Sequence, residues 1–270
     1  MQDWQGKIVV VTGASSGLGR TIATAFAARR ARVVIAARGA DELQQTANEL
    51  CAAGYDVTAI PADVTRQESV DALLAGVIER FGQLDVLVNN AGRTARSAIL
   101  DATPEDFRDM LDINLLGVVR MTRAAAPHLL RARGHLINIS SLAGKSASRY
   151  LGAYPASKFA VTAYTQQLRL ELEPQGLHVL LVCPGPIARE APRHAPIDTH
   201  PGQSLPADAY KPGGGVKLNL ISPEKLTERV LRACERRDPE VVMPGKARIL
   251  FAISQLSPSL GDWLVRKMTS

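Results

Sequence analysis

The stretch Lys7-Ile8-Val9-Val10-Val11-Thr12-Gly13-Ala14-Ser15-Ser16-Gly17-Leu18-Gly19 decides how the rest of the chain is read. After Lys7 it is apolar and β-branched up to Thr12, as a strand buried on both faces requires, and it stops at Gly13. Beyond Gly17 and Gly19, apolar residues at Leu18, Ile22, Ala25 and Phe26 fall at helical spacing. A second apolar run, Val33 to Ala37, completes a βαβ unit. Working outward, Val57 to Ala62, Leu84 to Asn89, His135 to Ser140 and Val179 to Cys183 are further strand candidates, each separated from the last by enough chain for a helix. Such alternation predicts an α/β fold, a doubly wound parallel sheet of about seven strands with helices on both faces, and residues 1–270 read as one domain.

Helix punctuation is clear at Thr103-Pro104-Glu105-Asp106, where a capping hydroxyl and a first-turn proline precede acids at the positive end of the dipole. That helix is predicted to pass Asn114 and end near Arg131. Residues 188–222 carry Pro192, Pro196, Pro201, Pro206 and Pro212 and the run Gly213 to Gly215, and read as a variable lid. Ser222 and Pro223 then restart a helix. In the extension 246–270, Ile249, Leu250, Ile253 and Leu256, then Leu260, Trp263, Leu264 and Met268, predict two short amphipathic helices interrupted by Pro258. These either cover the substrate cleft or a subunit interface, or rest peripherally on an acidic membrane surface.

With 46% hydrophobic and 21% charged residues, the 270-residue chain can bury a core and is far from the disordered class. A net charge of +6 attracts anions without choosing among cofactors, lipids and nucleic acid, and no nucleic-acid recognition motif accompanies it. Cys51, Cys183 and Cys234 are too few and too scattered for a disulfide framework, which fits a reducing compartment. The histidines, His128, His135, His178, His194 and His200, lack metal-site spacing, so no metal is expected. No apolar run approaches ~18 residues, and no signal peptide precedes the first strand, so a soluble cytoplasmic protein is expected.

Chemistry concentrates at a few points. Gly13-x-x-x-Gly17-x-Gly19 lies where a strand becomes a helix, which allows close backbone approach and turns the helix N-terminus toward a pyrophosphate. The second strand ends in Ala37-Arg38 rather than an acid, so a guanidinium stands where a 2′-phosphate is gripped and NADP(H) is the better match, with NAD(H) the alternative. An ordinary surface arginine is the competing reading. Asp63-Val64 follows the third strand, where a carboxylate can accept from an adenine amino group or simply be solvated. Tyr154 and Lys158 are i and i+4 on a predicted helix, and an adjacent ammonium favours the phenolate. The Ser222-Pro-Glu-Lys225 match to an acylating S-x-x-K reads as a helix cap, and Cys183 as a core thiol.

These motifs together resemble the short-chain dehydrogenase/reductase family: Thr12 to Gly19 for T-G-x-x-x-G-x-G, Asn89-Asn90-Ala91-Gly92 for N-N-A-G, and Tyr154 to Lys158 for Y-x-x-x-K. The resemblance spans roughly Gly6 to Ala188 and implies a Rossmann fold. It implies Ser141, 13 residues before the tyrosine, rather than Ser140, and Asn114 as the helix asparagine. It further implies that Tyr154 exchanges a proton with the carbonyl or hydroxyl oxygen of a small-molecule substrate while hydride moves at the nicotinamide. Lys158 would lower the Tyr154 pKa and hold the ribose, Ser141 would bond the substrate oxygen, and Asn114 would hold a relay water. Gly13, Ser15, Ser16, Gly17, Leu18, Gly19, Arg38, Asp63, Val64, Asn90, Ala91, Gly92, Pro184, Gly185 and Ile187 would contact the cofactor, with Tyr154 and Lys158. A homodimer or homotetramer is also implied. A non-catalytic dinucleotide sensor or scaffold on the same fold is the alternative, against which the intact Asn114, Ser141, Tyr154 and Lys158 set argues.

Overall fold

Alternation along the first strand, β1 (Ile8–Thr12), builds two cores at once: Val9 and Val11 enter one apolar cluster, Ile8 and Val10 the other. In this computed structural model, which describes residues 4–188, 205–210 and 219–268, the same division runs across seven parallel strands. They are β1, β2 (Arg32–Ala36), β3 (Val57–Ala59), β4 (Val86–Asn89), β5 (His135–Ile139), β6 (His178–Pro184) and β7 (Glu240–Met243). Their order is β3-β2-β1-β4-β5-β6-β7, so the chain reverses direction of travel between β1 and β4. A crevice for ligands opens at that switch, outside the strands' carboxyl ends.

On one face lie α1 (Gly17–Ala27), α2 (Ala40–Ala52) and α7 (Pro223–Arg236), which contribute Ile22, Phe26, Leu43, Leu50, Val230 and Leu231. On the other, α3 (Gln67–Phe81) and α5 (Gly117–Ala132) contribute Val70, Leu73, Met121 and Leu129, with Leu168 of α6 (Tyr154–Leu172) packed against them. Each fully buried side chain of this size contributes about 1.5–3 kcal/mol, which favours the two-faced arrangement over one with either face open to water.

Departures from the sequence expectation are local. The third strand stops at Ala59 rather than Ala62 because Pro61 has no N–H; the flanking Ile60 and Ala62 amides still donate to Ile35 and Ala37. The fourth begins at Val86 rather than Leu84, since the Asp85 carboxylate turns to the Ile8 N–H and the Lys7 ammonium. The seventh strand, only four residues long at the sheet edge, was not among the expected runs. The helix expected from Thr103 to Arg131 is broken into α4 (Pro104–Leu111), a π turn over Asp112–Leu116, and α5; its start carries a full capping box between Thr103 and Asp106. Of the expected lid, residues 189–204 and 211–218 lie outside the described residues, and with them His194 and His200. What is described is tied at its base by Ile187 paired with Ile221.

Histidines absent from any sequence motif join β5 to β6. His135 Nδ1 and His178 Nδ1 are 2.8 Å apart, and His178 Nε2 is 2.8 Å from the Asp238 carbonyl. A carbonyl only accepts, so His178 is protonated at Nε2 and receives the Nδ1–H of His135. Cys234 of α7 lies beside them, the three potential ligand atoms within 4.8 Å of one another, a grouping no sequence spacing announces. Burial, then the neighbouring His178, pushes His135 down to about 3, and burial also lowers His178. Both rings are therefore neutral in the fold, while an unfolded histidine titrates near ~6.5. Unfolding takes up protons between these values, so this stability is complete above ~6.5 and is lost as pH falls toward 3. Urea unfolding at pH 7 and pH 5 is expected to differ by on the order of 2 kcal/mol on account of His135 alone. The difference shrinks in His135→Asn; an unchanged slope in that variant contradicts the assignment.

Candidate functional site

At the switch point the end of β1 is locked to the end of β4. Thr12 Oγ1 receives the Asn90 and Ala91 N–H groups at 3.0 and 3.1 Å, and Asn90 Nδ2 donates to the Thr12 and Gly13 carbonyls at 2.9 and 3.1 Å. The turn itself is shaped for glycine: Gly13 and Gly17 have φ of +64° and +54°, and a Cβ at Gly19 would stand 2.3 Å from the Gly13 carbonyl oxygen. A Cβ at Gly17, by contrast, meets nothing within 4 Å. Helix α1 starts here with no side-chain cap from Ser16 and no acid in its first turn, so its leading N–H groups take no side-chain acceptor from Ser16. This fits the phosphates of a dinucleotide. Ser15 and Leu18 stay half-buried beside the turn, and the Ser15 carbonyl is fixed by Thr46 Oγ1 at 2.9 Å.

Arg38 is exposed just past the end of β2, near enough to Asp63 to act on its carboxyl. Burial opposes the Asp63 charge, but the N–H and hydroxyl of Thr65, with Arg38 and Arg66, hold its carboxyl below the usual range. Val64 is buried and packs against Gly117 at the start of α5, where a Cβ would come within 2.8 Å of the valine side chain.

Lys158 is 6% exposed, and its ammonium donates to the Ile139 carbonyl at 2.9 Å. Its Nζ stands 6.0 Å from the centre of the Tyr154 ring, one helical turn back on the same face of α6. Burial pushes this ammonium down to about 8, with Cys183 acting in the opposite sense. Ser140 and Ser141, adjacent in sequence, part company here. Ser140 is buried and its Oγ bonds the Lys158 carbonyl at 3.0 Å, which anchors α6 to β5. Ser141 caps the short 3-10 turn Leu142–Gly144 by accepting from Ala143 N–H at 3.1 Å. Gly185, following Pro184 at the end of β6, packs beside that turn: a Cβ there would lie 3.2 Å from Leu142.

Asn114 sits fully buried in the π turn. Its Oδ1 accepts from Arg93 N–H at 2.9 Å, while Nδ2 donates to the Arg93 carbonyl at 3.0 Å and to Ser157 Oγ at 2.9 Å. The helix irregularity thus turns an amide into a clamp on the loop after β4, and a Cβ on Gly92 would meet Asn114 Oδ1 at 2.7 Å and Lys158 Nζ at 3.7 Å. Asn114, Gly92, Lys158 and Tyr154 are therefore brought to one place at the carboxyl edge of the sheet. Cys183, buried on β6 with its thiol pushed up to about 12 by burial, carries no nucleophilic character.

A family model described as short chain dehydrogenase matches residues 7–197. The chain belongs to the short-chain dehydrogenase family. This family consists of oxidoreductases, and similar proteins cover nearly the whole chain. A dehydrogenase/reductase SDR family protein 7-like protein of Drosophila melanogaster is 31% identical over 268 residues, 97% of this chain and 80% of its own length. A short-chain dehydrogenase/reductase from Burkholderia phymatum, solved in complex with NAD, superposes with a TM-score of 0.83 at 27% identity, covering 95% of this chain and 96% of that one. An actinorhodin polyketide ketoreductase solved with NADPH gives 0.76 at 30% identity, covering 92% and 99%.

Three residues of this short-chain dehydrogenase escaped the sequence reading as site residues: Thr12, Arg93 and Ser157. Thr12 was visible as the first letter of the glycine motif. Ser157, whose Oγ joins Asn114 to the Tyr154 carbonyl at 2.9 and 2.7 Å, lies inside the Y-x-x-x-K spacing as an unspecified position. Arg93 contributes only its main chain to Asn114, and no side-chain pattern announces that.

Proposed function

We propose that this short-chain dehydrogenase is an NADP(H)-dependent oxidoreductase that interconverts a carbonyl and a secondary alcohol, with Tyr154 as general acid and base. The observation that carries the reading is the buried Lys158 ammonium 6.0 Å from the Tyr154 ring, on a sheet edge that also carries the glycine turn at Gly13 to Gly19. When bound, the nicotinamide gives or takes the hydride. In reduction, the Tyr154 hydroxyl donates its proton to the substrate oxygen, and the nearby ammonium stabilises the phenolate left behind. One Lys158 N–H is engaged by Ile139, and the other two remain for the ribose and for a proton path. Ser141 donates its hydroxyl hydrogen to the substrate oxygen while its lone pair holds Ala143 N–H. Asn114 Oδ1 keeps a second lone pair beyond Arg93 for a water leading toward Lys158.

Arg38 is proposed to grip the 2′-phosphate, with Asp63 and Val64 at the adenine, Asn90, Ala91 and Gly92 along the adenosine side, and Pro184, Gly185 and Ile187 at the carboxamide. Support comes from the ketoreductase relative solved with NADPH and from the absence of an acid at the end of β2, while the relative solved with NAD keeps NAD(H) as the alternative. Arg38→Asp is expected to shift the NADPH-to-NADH preference toward NADH by about a hundredfold, read as the ratio of kcat/KM values, since it replaces an ion pair by a repulsion. An unchanged ratio removes Arg38 from the phosphate site. The exposed Leu116, Phe159 and Leu170, on the helical segments bearing Asn114 and Tyr154, support pairing of chains into a homodimer or homotetramer.

The deciding test is NADPH consumption by the purified protein across aldehydes, ketones and quinones. Turnover on any carbonyl class is expected. Tight NADPH binding with no turnover across the panel favours a dinucleotide sensor instead.

A further inference from the structure

Beyond β7 the chain forms two helices, α8 (Ala247–Leu256) and α9 (Pro258–Met268), joined through Ser257. Helix α8 has no buried residue, and α9 has only Gly261, which presses on Ser254 so closely that a Cβ would lie 2.7 Å from the serine Cα. Ala247 and Phe251 fasten the pair to Leu181, Cys183 and Val242, and Arg248 reaches Glu240 at 3.4 Å. The opposite side of α8 presents Ile249 and Leu256, 65% and 88% exposed and two turns apart. On α9, Leu260 and Trp263 are 46% and 52% exposed, and Lys267 Nζ lies 5.2 Å over the Trp263 ring.

We infer that this helix hairpin docks on the surface of an anionic lipid bilayer, with Ile249, Leu256, Leu260 and Trp263 entering the headgroup boundary. The charge pattern selects that occupant. Lys246, Arg266 and Lys267 lie in or beside the two helices with Asp262 as the hairpin's sole acid, while Arg248 is paired with Glu240. A second copy of the same basic hairpin on a chain of net charge +6 meets repulsion, whereas anionic headgroups meet attraction. A tryptophan with a lysine over its ring suits an apolar-to-polar boundary better than a dry interface. None of the described helices is long and apolar enough to cross a membrane, so the hairpin lies in the plane of the surface.

The test is sedimentation of the full chain with vesicles of phosphatidylcholine alone and with roughly one-third phosphatidylglycerol, at low and high salt. Binding is expected to be about tenfold stronger to the anionic vesicles and to weaken with salt. Arg266→Gln with Lys267→Gln is expected to lower it about tenfold, and Leu256→Ser with Trp263→Ser at least as much, with turnover in solution unchanged. Both pairs are exposed, so folding is spared, and a wild-type circular dichroism spectrum checks it. Failure to sediment with anionic vesicles overturns the inference, as does equal binding to neutral ones. So does an oligomer that the Leu256→Ser, Trp263→Ser pair dissociates in a chain that ignores vesicles.

Discussion

Tyr154→Phe is expected to lower kcat for carbonyl reduction by about 10³-fold while NADPH affinity stays within a few-fold. The substitution keeps the ring, which makes the contact with Lys158, and removes only the hydroxyl that delivers the proton. An interaction made in the transition state and not in the ground state is lost, so kcat and kcat/KM fall together and KM does not rise. Lys158 cannot substitute for it. Its ammonium is held on the Ile139 carbonyl and its side chain is buried, with Nζ 6.0 Å from the centre of the tyrosine ring. Single-turnover kinetics with NADPH, together with calorimetry of NADPH binding, separates the two effects. A fully active variant means that another group supplies the proton and overturns the proposed mechanism.

Gly19→Ala is expected to weaken NADPH binding by about 10²-fold and to destabilise the protein by about 1–3 kcal/mol. The added methyl would stand 2.3 Å from the Gly13 carbonyl oxygen and 2.5 Å from Asn90 Nδ2, and neither can yield alone. Asn90 Nδ2 bonds both the Thr12 and Gly13 carbonyls, so moving it unfastens the end of β1 from the end of β4. The turn opens and the N–H groups of α1 lose their aim. Gly17→Ala provides the contrast. It meets no neighbour, so its cost is the left-handed backbone at φ +54°, about 1–2 kcal/mol. Thermal melting and NADPH titration of both variants check this. Wild-type affinity in Gly19→Ala shows that the turn relaxes around the methyl and contradicts the cradle described above.

Much of the fold was legible because its cause is local. A β-branched run such as Ile8 to Thr12 is buried on both faces wherever it is placed in a parallel sheet, and Thr103-Pro104 starts a helix by its own hydrogen bonds. The misplaced ends have causes that hydropathy ignores: Pro61 lacks a donor, which is local, whereas Asp85 is drawn to the Ile8 amide 77 residues away, which is not. The short edge strand Glu240–Met243 has too few residues for a periodicity to declare itself.

The candidate site divides along the same line. Gly13, Gly17, Gly19 and the Tyr154–Lys158 pair lie within one turn or one helical step, where spacing along the chain is also spacing in space. The choice of Ser140 as anchor and Ser141 as the cap of the next turn depends on a helix 18 residues further on. The Asn114 clamp on Arg93 spans 21 residues and needs a π turn that no propensity foretells. His135 and His178, 43 residues apart, become neutral partners only because β5 and β6 pair in register and exclude water from both rings. Contacts of that kind are set by packing and desolvation across the sheet, so they come into being only when the strands are assembled.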